Sequence, residues 1–146
     1  MYIKVENGNT VNYSLDNLKE SNPQISFPSE ISDSTLSEYS VYKYTIGNIP
    51  SYDPLTETLI EGYFEKDEND KYHKPYVVRK LSLEDASNNI RNLRNKLLAN
   101  SDWLVIKHVE TSSPLIAIWE KYRQELRDVT SQDGFPYAVI WPIQPE

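Results

Sequence analysis

Apolar side chains between Ser82 and Asp128 recur twice at helical spacing. Leu83, Ala86, Ile90, Leu93 and Leu97 follow one another at intervals of three and four residues. That spacing lines them along one helical face and leaves Asn, Arg and Lys on the other. Ser82 and Asp85 are spaced as a capping box, which marks the start. A second stripe holds Leu115, Trp119, Tyr122, Leu126 and Val129, with Ser113 as its expected N-cap and Pro114 in its first turn. The pattern predicts helices over residues 83–99 and 114–128 with a bend near Asn100 to Asp102. They should pack antiparallel and bury Leu93 and Leu126.

The pattern before residue 82 has a shorter period. Tyr2, Ile3 and Val5 lead into Asn7-Gly8, and Val11 and Tyr13 lead out, which is the signature of a β-hairpin. Ser14 is placed to cap a helical turn through Leu15 and Leu18, ended by Asn22-Pro23. After the extended stretch Ser26-Phe27-Pro28-Ser29, either Ser32 or Asp33 caps a second turn through Leu36 and Tyr39. Val41 to Ile46 reads as a strand, and Pro50 and Pro54 bracket a loop. Leu59 to Glu65 and Tyr72 to Leu81 read as two strands around the exposed acidic turn Asp67-Glu68-Asn69-Asp70. Pro75 lacks an N–H and so points to an edge strand. The predicted class is α+β. A small antiparallel β-rich region, residues 1–81, precedes a helical region, residues 82–146, that ends in an extended, Pro-rich tail. In that tail Pro136, Pro142 and Pro145 exclude a central strand. Trp141 either folds back on the helices or docks on a partner.

Composition narrows the function. A net charge of −7 lacks the basic face that phosphate binding requires, so nucleic acid is not the expected partner. With no Cys there is no disulfide framework, no thiolate chemistry and no Cys-based zinc site. No apolar run approaches the length of a membrane span and no signal pattern opens the chain. A soluble intracellular protein is expected, with no membrane association.

Candidate chemistry is sparse. His73, on a strand, and His108, in a presumed loop, are far apart, and no metal ligand set surrounds either. The acidic turn lacks the Gly and Glu of a calcium-binding loop. No nucleophile elbow occurs, and the 4 glycines form no phosphate-cradling loop. No catalytic, metal or cofactor-binding residue is therefore expected, and the protein is not expected to be an enzyme. Arg123 and Arg127 have Glu120 and Asp128 within a turn, so the charges either neutralise one another along the helix or an Arg crosses to Asp102. Arg91, Arg94 and Lys96 give the first helix a basic side, either solvated or receptive to an acidic partner. Trp103 and Trp119 are expected in the core.

Several of these residues stand in an ordered series. Arg94-Asn95-x-Leu97-Leu98, Ser101-Asp102-Trp103, Trp119-x-x-Tyr122-Arg123-Gln124-x-Leu126-Arg127-Asp128, Gly134-Phe135-Pro136 and Trp141-Pro142 together resemble the C-terminal domain of bacteriophage tail assembly chaperone (tail-fibre assembly) proteins. Tyr13-Ser14-Leu15-x-x-Leu18, Asn22-Pro23, Ser26-Phe27-Pro28 and Val41-Tyr42 resemble the segment often found before that domain. One departure is the apolar run Leu104 to Val109 after Trp103, which suggests a short strand or a partner contact between the helices. The resemblance implies a non-enzymatic protein that binds a tail or tail-fibre subunit in the host cytoplasm during assembly. Partner contacts are expected at Arg91, Arg94, Phe135 and Trp141. The alternatives are a structural component retained in the virion tail, as adaptor or fibre-attachment subunit, and a binder of a host factor. A homo-oligomer is left open.

Overall fold

Asn7 and Gly8 both take positive φ, 50° and 79°, so the first turn closes as the tight hairpin its sequence favours. It joins β1 (Tyr2–Glu6) to β2 (Asn9–Tyr13) in antiparallel register, with Ile3 opposite Asn12. The computed structural model describes residues 1–111 and 114–145, and only the main chain of His108 and Val109. These residues divide into two compact units, one of residues 1–51 and 59–78, the other of residues 52–58 and 79–146.

In the first unit Ser14 caps α1 (Leu15–Ser21), accepting the Asn17 N–H at 3.1 Å. Ser32, not Asp33, caps α2 (Asp33–Glu38), accepting the Thr35 N–H at 3.2 Å. Leu18, Ile31 and Leu36 close on Val41 of β3 (Val41–Ile46), with Tyr2, Tyr13, Leu15, Phe27 and Tyr39 around them. β4 (Glu57–Glu61) is shorter than its apolar run suggests. The rest of that run ends in a separate two-residue strand, β5 (Glu65–Lys66). The expected strand over 72–81 is broken at Pro75 into β6 (Tyr72–Lys74) and β7 (Tyr76–Lys80).

The strand order is β2-β1-β3-β6-β5, and its pairings are antiparallel as expected except that β3 and β6 run parallel, Tyr44 opposite Tyr72. Pro75 does not lie on an edge strand. It sits in the break, where its carbonyl accepts the Gly62 N–H at 2.8 Å. β4 and β7 form a separate two-stranded sheet. His73 is partly buried. Its Nε2 lies 3.2 Å from Glu65, and its Nδ1 is enclosed without a hydrogen-bond partner among the described residues.

The acidic turn is held by Asp67, whose Oδ1 accepts the Lys71 and Asn69 N–H groups, each at 2.9 Å. These bonds, the Lys71 one foremost, hold its carboxyl below the usual 3.8. A depressed carboxylate contributes stability above its unfolded value and loses it as pH falls through the lower, folded value. Amide exchange at Asn69 and Lys71 should therefore lose protection below pH 3.8. Protection within the β1–β2 hairpin should persist over that step, which NMR exchange measurements will resolve.

The second unit contains the helices. Ser82 caps α3 (Leu83–Glu110) by accepting the Asp85 N–H at 3.0 Å, while its hydroxyl donates to the Asp85 carboxylate at 2.7 Å. The helix does not bend at Asn100–Asp102. It continues for 28 residues to Glu110, and the segment expected to be a strand or loop, His108 included, is its last turns. The reason is periodic: Leu97, Leu98, Ser101, Leu104 and Val105 carry on the inward face begun by Ala86 and Ile90. Leu83, in the first turn, is exposed instead.

α4 (Ile116–Asp128) starts at an N-cap Leu115 that makes no side-chain capping bond, and the expected cap Ser113 lies outside the described residues. A 3₁₀ turn, Val129–Ser131, buries Val129. Residues 52–58 are not merely a loop. Asp53 accepts from the Leu55 N–H and the Thr56 hydroxyl, each at 3.0 Å. Leu55 O accepts from Asn89 of α3 at 3.1 Å, and Thr56 O from the Leu81 N–H at 2.9 Å.

Trp119, Tyr122 and Leu126 form the core of this unit, with Leu97, Leu98, Leu104, Val105 and Trp141 packed around them. Leu126 is fully buried and Leu93 partly so. Trp119, 3% exposed, meets Tyr122 edge to face at 5.8 Å. Trp119→Ala opens a cavity there and should cost about 3–5 kcal/mol. That is a large part of a typical domain's stability of about 5–15 kcal/mol. Urea unfolding followed by far-UV circular dichroism measures it.

Candidate functional site

The helical pair is tied by one guanidinium. Arg123, on α4, points at α3, where its Nη1 donates to Leu98 O at 2.7 Å and to Ser101 Oγ at 2.6 Å. Its Nη2 lies 2.6 Å from Asp102 Oδ1. The sequence left open which arginine crosses to Asp102; it is Arg123, and it spreads its fork over three acceptors rather than pairing bidentately. Ser101 is buried and its hydroxyl donates onward to Leu98 O at 2.8 Å. Arg127 faces solvent, its Nη1 3.4 Å from Gln124 Oε1, and Asp128 accepts from Gln124 Nε2 at 3.0 Å. Desolvation of the Tyr122 ring, packed in the core, pushes its hydroxyl above the usual 10.0.

Trp103 is a correction. It was expected in the core and is 59% exposed. With Ser101, Leu104 and Val105 directed inward at about 100° per residue, Trp103 falls on the opposite side of α3. Ile106, one turn on, is exposed to the same degree, and Lys107 Nζ stands 5.7 Å over the Trp103 ring. The sequence held this signal. Extending the period of Ile90 and Leu97 past Asn100 places Trp103 outside.

The tail folds back. Gln132 brackets Ile140 with two 2.8 Å bonds, donating to its carbonyl and accepting its N–H. Gly134 O accepts the Ala138 N–H at 2.7 Å in a turn so close that a side chain at Gly134 would meet the Ala138 carbonyl. Within it the Phe135–Pro136 peptide is cis and Pro136 is fully buried. Tyr137 Oη donates to Leu81 O at 2.8 Å. Of the residues expected to meet a partner, Arg91 lies 5.4 Å over the Phe135 ring, and Trp141 is half-buried against the α3–α4 core. Arg94 Nε donates to Asn95 Oδ1 at 2.8 Å. The structure thus brings Arg91 and Phe135 together, while Trp141 joins the packing of Trp119.

Beside α4 lies an open groove of about 670 Å³ lined by Val105, Ala117, Glu120, Lys121, Arg123, Gln124 and Arg127. Among the described residues no cluster of His, Asp and Glu is arranged to hold a metal ion, and no helix is long and apolar enough to cross a membrane.

The interhelical fork separates into strong and weak partners. Arg123 is 15% exposed and Asp102 61% exposed. Arg123→Ala removes the charged donor shared by Leu98 and Ser101 and should cost about 1–3 kcal/mol. Asp102→Ala breaks a solvent-screened pair and should cost at most about 1 kcal/mol. Urea midpoints of the two variants give the ranking.

Residues 87–146 match the family model described as phage tail assembly chaperone protein. No curated protein and no solved structure matches the chain. The matched segment covers α3 from its second turn, the Arg123 fork, α4 and the folded-back tail, while residues 1–86, with their own resemblance at Tyr13 to Tyr42, lie outside it. Over residues 87–146, less than half of its length, this chain is similar to the phage tail assembly chaperone family.

Proposed function

We propose that this protein acts in phage tail assembly by binding a tail or tail-fibre subunit and keeping it from aggregating until it docks or oligomerises, without turnover of its own. The observation that carries this reading is the family match across the helical pair and its tail. The physical role is that of a reversible cover. A chaperone that binds the immature subunit more tightly than the aggregating surface binds itself shifts the population toward soluble, assembly-competent protein. Exposed strand edges on such subunits are the surfaces most in need of cover. Binding of this kind requires an accessible apolar anchor and charge of defined sign, not an assembled catalytic constellation. The work is then done in the host cytoplasm, before the particle is complete.

Co-expression with each tail and tail-fibre subunit of the same phage tests the reading. One subunit should move from the insoluble to the soluble fraction and co-purify with this chain, and mass spectrometry of purified particles should find the chain depleted. A chain present in mature tails at fixed stoichiometry would instead assign it to the virion as an adaptor or fibre-attachment subunit. If no subunit is solubilised or co-purified, the chaperone reading fails.

A further inference from the structure

The inward side of α3 is committed to α4, yet its outward side is not built like an ordinary solvated helix face. At about 100° per residue, Asn88, Asn92, Lys96, Ala99, Trp103, Ile106 and Lys107 fall within one arc of about 100°. Every one of them is exposed. A solvated face of this length normally carries alternating Glu and Lys, which favour the helix and keep it soluble. Here the arc carries asparagine, a poor helix former, and then two large apolar side chains. Neither choice serves the helix.

We propose that this outward face of α3 is the surface on which the client docks, with Trp103 and Ile106 as its anchors. The occupant is a segment of the tail subunit that presents an apolar side chain flanked by carboxylates. The inference deepens the chaperone reading and rests on it. Trp is the residue type most enriched among the few that dominate binding energy, and a ring held out on a rigid helix is already ordered for contact. The asparagine amides beside it are uncharged and can be covered at less cost than a lysine or glutamate.

Charge selects the partner's chemistry. The chain carries −7 overall, yet the charged residues on this arc from Asn88 to Lys107 are Lys96 and Lys107, and the nearby Asp102 is paired with Arg123. On the arc itself no carboxylate stands between Asp85 and Glu110. An acidic segment is therefore drawn to this face and repelled by the chain as a whole, which fixes both where and in which orientation it lands. A second copy of this chain docking through the same face would set Lys96 and Lys107 against their own kind.

The test compares the wild-type chain with Trp103→Ser/Ile106→Ser and with Lys96→Glu/Lys107→Glu. All the replaced side chains are exposed, so helical circular dichroism and the urea midpoint should stay unchanged, and they report whether either variant has misfolded. The first readout is recovery of the co-expressed full-length tail subunit. The second is binding to short overlapping peptides that tile that subunit. Both variants should bind at least about tenfold more weakly than wild type. The peptides that bind should pair Leu, Ile, Phe or Trp with Asp or Glu. The loss in the lysine variant should shrink as salt is raised.

A folded Trp103→Ser/Ile106→Ser chain that recovers the subunit as well as wild type overturns this assignment and leaves the chaperone reading standing. A wild-type chain that recovers no subunit overturns both. Peptides selected without carboxylates overturn the charge argument, and a double variant that alters only self-association in sedimentation assigns the face to a second copy instead.

Discussion

A guanidinium held between two helices sets the geometry of the helical unit. Apolar contacts between α3 and α4, where Leu97, Leu98, Leu104 and Val105 pack around Trp119 and Tyr122, are non-directional. The contacts of Arg123 are directional. Its charge, largely withdrawn from water, is stable only where donors find acceptors, and Leu98 O, Ser101 Oγ and Asp102 supply them at one register. Arg is suited to this because its fork stays planar and charged. The same contact bears on the helix it reaches. Asn100 and Ser101 are weak helix formers, and the apolar run after them has strand character. Ser101 is instead held within the helix by its own bond to Leu98 O and by the bond it receives from α4.

Local chemistry was legible where one residue type has one conformational answer. Asn7-Gly8 dictates its hairpin, and Ser14 and Ser82 cap the helices that follow them. What escaped the sequence was decided by partners distant in the chain. The bend expected at Asn100–Asp102 is absent because Leu97, Leu98, Leu104 and Val105 continue the inward period against α4, where Arg123 also holds Ser101. The parallel pairing of β3 with β6 brings together segments separated by β4 and β5, and no spacing announces such a crossover. Residues 52–58, bracketed by prolines, looked like a loop, yet Asp53 folds them into a turn whose carbonyls receive Asn89 and Leu81. In the candidate site the Arg-to-Asp102 crossing was foreseen as one of two options. Trp103 was assigned to the core because large aromatics usually are, although the helical period already placed it outside.

The ordered motif series takes on a physical meaning once it is located. Trp119, Tyr122, Leu126 and Trp141 pack on one another or on their neighbours, Arg123 ties the helices, and Gly134 and Pro136 form the close turn that carries the tail back. Most of the series therefore describes how this domain holds itself together. The tail is extended because its prolines forbid a central strand, and its groups are satisfied from outside. Gln132 serves Ile140, and Leu81 accepts from Tyr137. Phe135 lies under Arg91, and Trp141 is set against the core.

That leaves α3 with two sides under different constraints. Its inner side must match α4 closely, since each large residue lost there leaves a cavity. Its outer side meets no such neighbour among the described residues, so packing against α4 does not dictate its side chains. An assembly chaperone also has to let go. A dry, fully complementary interface would hold the subunit too long, because affinity differences between related complexes lie mostly in the off-rate. A small apolar anchor within a ring of amides and screened charges favours quick capture through electrostatic attraction and release when the subunit's own partner covers more area. The division of labour on α3, a rigid inner face that holds the shape and an outer face with few anchors, suits the proposed docking of a subunit that must later be released.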